Sequence, residues 1–93
     1  MESKILKVVQ QGEAFAVQSQ KAEGGQVMKR TIVLQELGGK FENQYLATML
    51  GELANMEFHC DDVVVASLKF SVREYNGNQF QDILVMEIQK LSS

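Results

Sequence analysis

Asn76-Gly77, set between two β-branched, aromatic-rich runs, VVVASLKFSVREY and NQFQDILVMEIQKL, limits the folds open to these residues more than any other stretch. A two-residue type I′ turn needs positive φ at both central positions, and Asn-Gly supplies it at the least steric cost. The last third, Asp61 to Leu91, therefore reads as one long β-hairpin. With Tyr75 and Asn78 as the closing pair, Phe70 faces Ile83 and Leu68 faces Val85, and Val64, Ala66 and Val72 complete an apolar face. The opposite face pairs Arg73 with Phe80, Ser71 with Asp82, and Lys69 with Leu84. One side of the ribbon is a core wall. The other mixes cations with an aromatic, and function is to be sought there. The alternation of Glu87 and Gln89 predicts a register shift near residue 86 that turns Met86 and Ile88 inward.

Upstream, residues 3–18 read as a long first strand broken at Gly12, since a glycine inside a strand pattern marks a bulge or bend. Lys21 to Gln26 is a polar loop whose paired glycines lack the spacing of a phosphate-binding fingerprint. Val27 to Leu37 alternates, with Met28, Arg30, Ile32 and Leu34 on one side and Lys29, Thr31, Val33 and Gln35 on the other. Gly38-Gly39 turns the chain into a third strand, Phe41 to Leu50. Gly51 to Phe58 is the one helical stretch, barely two turns long and dependent on docking.

The order strand, strand, strand, short helix, strand, strand predicts an all-β fold with a small α content. Closing five short, curved strands into a barrel removes their exposed edges. A helix between strands three and four matches the oligonucleotide/oligosaccharide-binding (OB) fold, a five-stranded barrel; an SH3-like barrel is the competitor but normally has no helix there. Ninety-three residues make one domain, 1–93, that buries about 60–65% of its unfolded surface.

Composition narrows the function. A net charge of −3 gives no general attraction to nucleic acid, so such binding needs a local basic stripe. A single Cys forms no internal disulfide, and the N-terminus carries no signal-peptide or membrane-span pattern, so the expected location is cytoplasmic, away from membranes. One His and one Cys, adjacent as His59-Cys60, cannot assemble a zinc site, and Cys60 has no separate His to activate it. Asp61-Asp62 reads as a strand-entry turn, because adjacent strand residues diverge. No cofactor, metal or catalytic residue is expected, and the chain reads as a non-enzyme.

The basic residues carry the functional expectation. Lys29, Arg30, Lys69 and Arg73 lie on strands, Lys21 and Lys40 in adjoining loops, and Tyr75 and Phe80 are candidate stacking platforms. Single-strand binding combines such cations with aromatic faces, each stacked base being worth about 1–3 kcal/mol. Against this, Asp82 lies where it can pair with Arg73 or Lys69 across the strands.

Arg73-Glu74-Tyr75-Asn76-Gly77 followed by Phe80, Asp82 and Ile83, and Gly24-Gly25-Gln26-Val27-Met28-Lys29-Arg30, resemble a group of small bacterial OB-fold proteins. That group is related to the single-stranded-DNA-binding proteins. Met49 to Ala54 is similar to the matching segment of the latter. Met28 and Gln79 stand where the group often has Trp, and Gln44 and Leu50 where single-stranded-DNA-binding proteins carry stacking aromatics. The chain also ends at Ser93 without their acidic tail.

The resemblance implies binding of single-stranded nucleic acid, DNA before RNA, in an accessory role in replication, recombination or repair. The alternative is an OB-fold module for protein interaction or oligomerisation. Apolar Val65 and Leu84 on the hairpin's polar face, joined by Met86 if the register does not shift, favour a homodimer or larger assembly.

Overall fold

The computed structural model describes residues 3–18, 25–38 and 42–91. Its strands are β1 (Ser3–Gln11), β2 (Phe15–Gln18), β3 (Gln26–Glu36), β4 (Gln44–Leu50), β5 (Val63–Tyr75) and β6 (Asn78–Lys90), with a 3-10 turn at Gly51–Asn55 between β4 and β5. β1 pairs with both β3 and β5, β3 with β2 and β4, and β5 with β6. A parallel bridge, Thr48↔Leu84, joins β4 to β6, so the pairings run in a ring from β1 through β5, β6, β4 and β3 back to β1.

The ring encloses the core. Leu6, Val8, Ile32, Leu34, Ala47, Met49, Ala54 and Val64 are fully buried, and Phe58, Ala66, Leu68, Val85 and Ile88 complete the core around them. Each is worth about 1.5–3 kcal/mol when withdrawn from water, with Ala less. The alternation read in β3 holds: Ile32 and Leu34 point inward, while Lys29, Thr31 and Val33 keep partial exposure on the other side. The helices among the described residues are too short to cross a membrane.

Two expected elements differ. Six strands stand where five were expected, because the first strand divides at Gly12. The β1–β3 register slips between Val8 and Gln10, and the Gly12 N–H then donates to Thr31 O at 2.9 Å. A Cβ at Gly12 would meet Thr31 Oγ1 at 2.7 Å while the nearest Thr31 backbone atom stays 3.5 Å away, so a side chain here has to displace the Thr31 hydroxyl. Beyond the break, β2 continues on β3 alone.

The predicted helix Gly51 to Phe58 is only a five-residue 3-10 turn. Its N-terminal residue offers no side-chain cap, and Gln11 binds the backbone just beyond the turn: its amide donates to Met56 O at 2.7 Å and accepts from Phe58 N–H at 2.8 Å. Met56 is extended, with φ −77° and ψ 135°, and the Gln11 bonds tie down the backbone beyond it, which a segment this short cannot resist.

The terminal hairpin has the expected pairing, but only its base is a core wall. Phe70 and Val72 are 48% and 66% exposed, because β5 runs on past the stretch that β1 pairs, which ends at Ser67. Asn76 and Gly77 have φ of 52° and 80°, and Tyr75↔Asn78, Arg73↔Phe80, Ser71↔Asp82, Lys69↔Leu84, Phe70↔Ile83 and Leu68↔Val85 face one another. Toward its base Ser67 faces Glu87, which leaves Met86 as the extra residue of a bulge. The expected shift is therefore present, but only Ile88 turns inward; Met86 stays 39% exposed. A single inserted residue puts Val85 and Ile88 on the same side and keeps Met86 off it. Lys21, Lys40 and Phe41 lie outside the described residues.

Candidate nucleic-acid interface

β3 and β4 present one face to the core and the other outward. Their register pairs Lys29 with Leu50, Thr31 with Thr48 and Val33 with Leu46, so these six share the outer face. β2 adds Phe15 opposite Lys29 and Val17 opposite Val27. The far half of the β5–β6 hairpin forms the other bank. Between them lies a groove of about 530 Å³ whose lining includes Val17, Lys29, Thr48, Leu50, Arg73 and Asp82.

Lys29 stands on the β3 bank, and among the described residues no ion pair or hydrogen bond engages its ammonium. Arg73 stands on the hairpin bank but is already committed. Its Nε donates to Asp82 Oδ2 at 2.9 Å and its guanidinium carbon lies 5.2 Å from the centre of the Phe80 ring. The cross-strand pairing foreseen for Asp82 therefore falls on Arg73, and Lys69 has no such partner among the described residues. Lys69 is exposed on the face of the hairpin that carries Leu84, and Tyr75 stands at its tip with 64% exposure. Phe80, 43% exposed, sits at the rim beneath Arg73.

Arg30 lies apart from these. It points to the opposite side of β3 from Lys29, where its Nε donates to Gly12 O at 2.6 Å and its Nη1 reaches Ala54 O and Met56 O at 3.4 Å each. It joins the β1–β2 break to the 3-10 turn. The groove thus brings Lys29 and Arg73 together, keeps Lys69, Tyr75 and Phe80 on the adjoining hairpin face, and leaves Arg30 outside.

Phe15, Val17, Leu46 and Thr48 belong to this surface and were not singled out from the sequence. The alternation of Leu46, Thr48 and Leu50 against Tyr45, Ala47 and Met49 holds the signal. At 65% exposure Leu46 is the most open of the set, ahead of Leu50 at 39%. Among the described residues no three His, Cys, Asp or Glu side chains converge to hold a metal ion. Asp62 and His59 instead build a turn: Asp62 Oδ2 accepts the His59 N–H at 2.8 Å and lies 3.5 Å from Lys90 Nζ. That backbone bond, more than the lysine, holds the Asp62 carboxyl below its ordinary range.

No protein-family model matches the chain, and no curated protein matches it either. Among solved structures, the chain is similar to the second OB-fold domain of replication protein A from Methanococcus maripaludis, determined in solution. The TM-score is 0.70 at 16% identity, over 98% of this chain and 83% of that one. Likeness at this identity speaks for the fold: the chain has the OB fold, reached here with a divided first strand.

Proposed function

We propose that this protein is a non-enzymatic binder of single-stranded nucleic acid, DNA in the first instance, accessory to replication, recombination or repair. The observation that carries the reading is the groove on the outer face of β3–β4, with Lys29 on one bank and Arg73 on the other. OB folds bind oligonucleotides across this part of the fold, between the first loop and the hairpin of the last two strands. The likeness to a replication protein A domain supports the same use.

The contacts divide by type. Lys29 and Lys69 offer unpaired charge to phosphates, and Arg73 joins them when it leaves Asp82. Phe15, Tyr75 and Phe80 offer ring faces to bases. Arg30 contributes by holding the β1–β2 break against the 3-10 turn. The groove floor is aliphatic at Val17, Val27 and Leu50, so binding is weaker than on a floor of stacking rings.

Titration of labelled oligothymidine at two salt concentrations tests this. Each phosphate neutralised on a single strand contributes about −0.7 to the logarithmic salt slope, so two free lysines give about −1.4. Absence of binding at low salt refutes the reading and leaves the protein-interaction module.

A further inference from the structure

The β5–β6 hairpin runs past the ring that anchors it. β1 pairs with β5 only from Val63 to Ser67, and among the described residues no strand covers the same edge from Leu68 to Tyr75. Every residue from Lys69 to Gln81 is exposed, including Phe70 at 48% and Val72 at 66%. In a hairpin closed by a two-residue turn, Tyr75 and Asn78 exchange both backbone bonds, and such pairs alternate along the ladder. Arg73, Ser71 and Lys69 therefore direct their N–H and C=O groups at β6. Glu74, Val72 and Phe70 direct theirs outward, to the open edge. A bare edge of this length, without proline, is a template for another strand.

We propose that this edge pairs with the same edge of a second copy of the chain, antiparallel, with Val72 on the two-fold axis. Two copies of one edge are self-complementary about a two-fold, so the assembly closes as a dimer at this contact. Charge separates the two central registers. With Ser71 on the axis, Lys69 faces Arg73 of the other copy twice over, and like charges directly opposite are unfavourable. With Val72 on the axis, Arg73 faces Ser71, Lys69 faces the Tyr75 ring and Val72 faces Val72. Three hydrogen-bonded pairs then form, Val72 with Val72 and Phe70 with Glu74 twice, or about six backbone bonds. Both outward rows of polar groups find partners. Because the pairing lies in the plane of the ribbon, it leaves the face bearing Arg73 and Phe80 open.

Sedimentation without nucleic acid, in a Cys60→Ser background, tests the contact, so its failure and that of the binding reading are told apart. At tens of micromolar the expected mass is twice the 10.4 kDa of the chain. A 10.4 kDa monomer overturns the proposal and leaves the edge to an extended segment of another protein. Val72→Lys sets two like charges on the axis at an exposed position; a monomer with an unchanged circular dichroism spectrum is expected, and a persisting dimer overturns the contact.

The register is read by oxidation. Val72→Cys places two thiols on a pair whose Cα atoms are about 5.5 Å apart, within disulfide reach, whereas Ser71→Cys leaves its thiols on Cα atoms about 8 Å apart. A covalent dimer from Val72→Cys alone supports the register. The reverse pattern, or no dimer from either, overturns it.

Discussion

Asp82 is the residue whose replacement reads out the groove most directly. It holds Arg73 through its Nε at 2.9 Å, with a second, longer approach of 3.5 Å from Nη2. Both side chains are about half exposed, 59% for Arg73 and 44% for Asp82, so the pair adds only about 0.2–1 kcal/mol to stability. Asp82→Asn therefore leaves the fold intact. For a bound strand the effect is larger in kind, since one change removes an anion from the bank and frees a cation. A carboxylate about 6 Å from a phosphate repels it by about 0.7 kcal/mol in a water-like dielectric, and physiological salt roughly halves that. Release of Arg73 adds a similar amount, for a total near 0.7–1 kcal/mol, or about three- to five-fold tighter binding. The salt slope is the cleaner measure. It steepens from about −1.4 to about −2.1 as Arg73 joins Lys29 and Lys69 in displacing counterions. Fluorescence anisotropy of oligothymidine over a salt series measures both. An unchanged slope, or weaker binding, refutes the idea that Asp82 withholds Arg73 from a phosphate.

Other expectations rest on single contacts. Arg30→Met removes the donor to Gly12, Ala54 and Met56 and costs about 1–3 kcal/mol in chemical denaturation, while the salt slope keeps its wild-type value because Arg30 is outside the groove. Phe15→Ala, at a 51% exposed ring beside Lys29, weakens single-strand binding by about 1–3 kcal/mol without altering the slope, since stacking displaces no counterions; equal affinity shows that no base reaches β2. The Asp62 carboxyl is held below the 3.8 of its unfolded state, so its contribution to stability is present above that value and fades as pH falls through the lower folded one. Denaturation of wild type and Asp62→Asn accordingly converges in acid and diverges toward neutral pH. The Tyr45 hydroxyl donates to Glu36 at 2.9 Å, and that bond, with burial and the nearby charge, raises its pKa above 10.0. Its contribution is full below the unfolded value and is lost as pH rises through the folded one, so Tyr45→Phe shows a flatter alkaline limb in the same assay.

Elements whose signals are local follow from the residues alone. Asn76-Gly77 imposes its turn through backbone sterics, and with the closing pair known every facing partner from Leu68 to Val85 can be counted off. The inward and outward rows of β3 were legible for the same reason, a strand having a period of two. Gly12 marks its break because a glycine inside a strand pattern favours a bulge or bend. What the sequence could not carry are outcomes decided between distant segments. Residues 51–58 taken alone suit a helix, yet Gln11 and Arg30, far away in the chain, bind backbone groups of that segment, and only a 3-10 turn forms. Arg30 and Lys29 looked alike as neighbouring cations; alternation separates them, but only the fold shows one bound to three carbonyls and the other facing a groove. Phe15, Leu46 and Thr48 meet on one surface only because β2, β3 and β4 lie side by side, and no local pattern encodes which strands become neighbours.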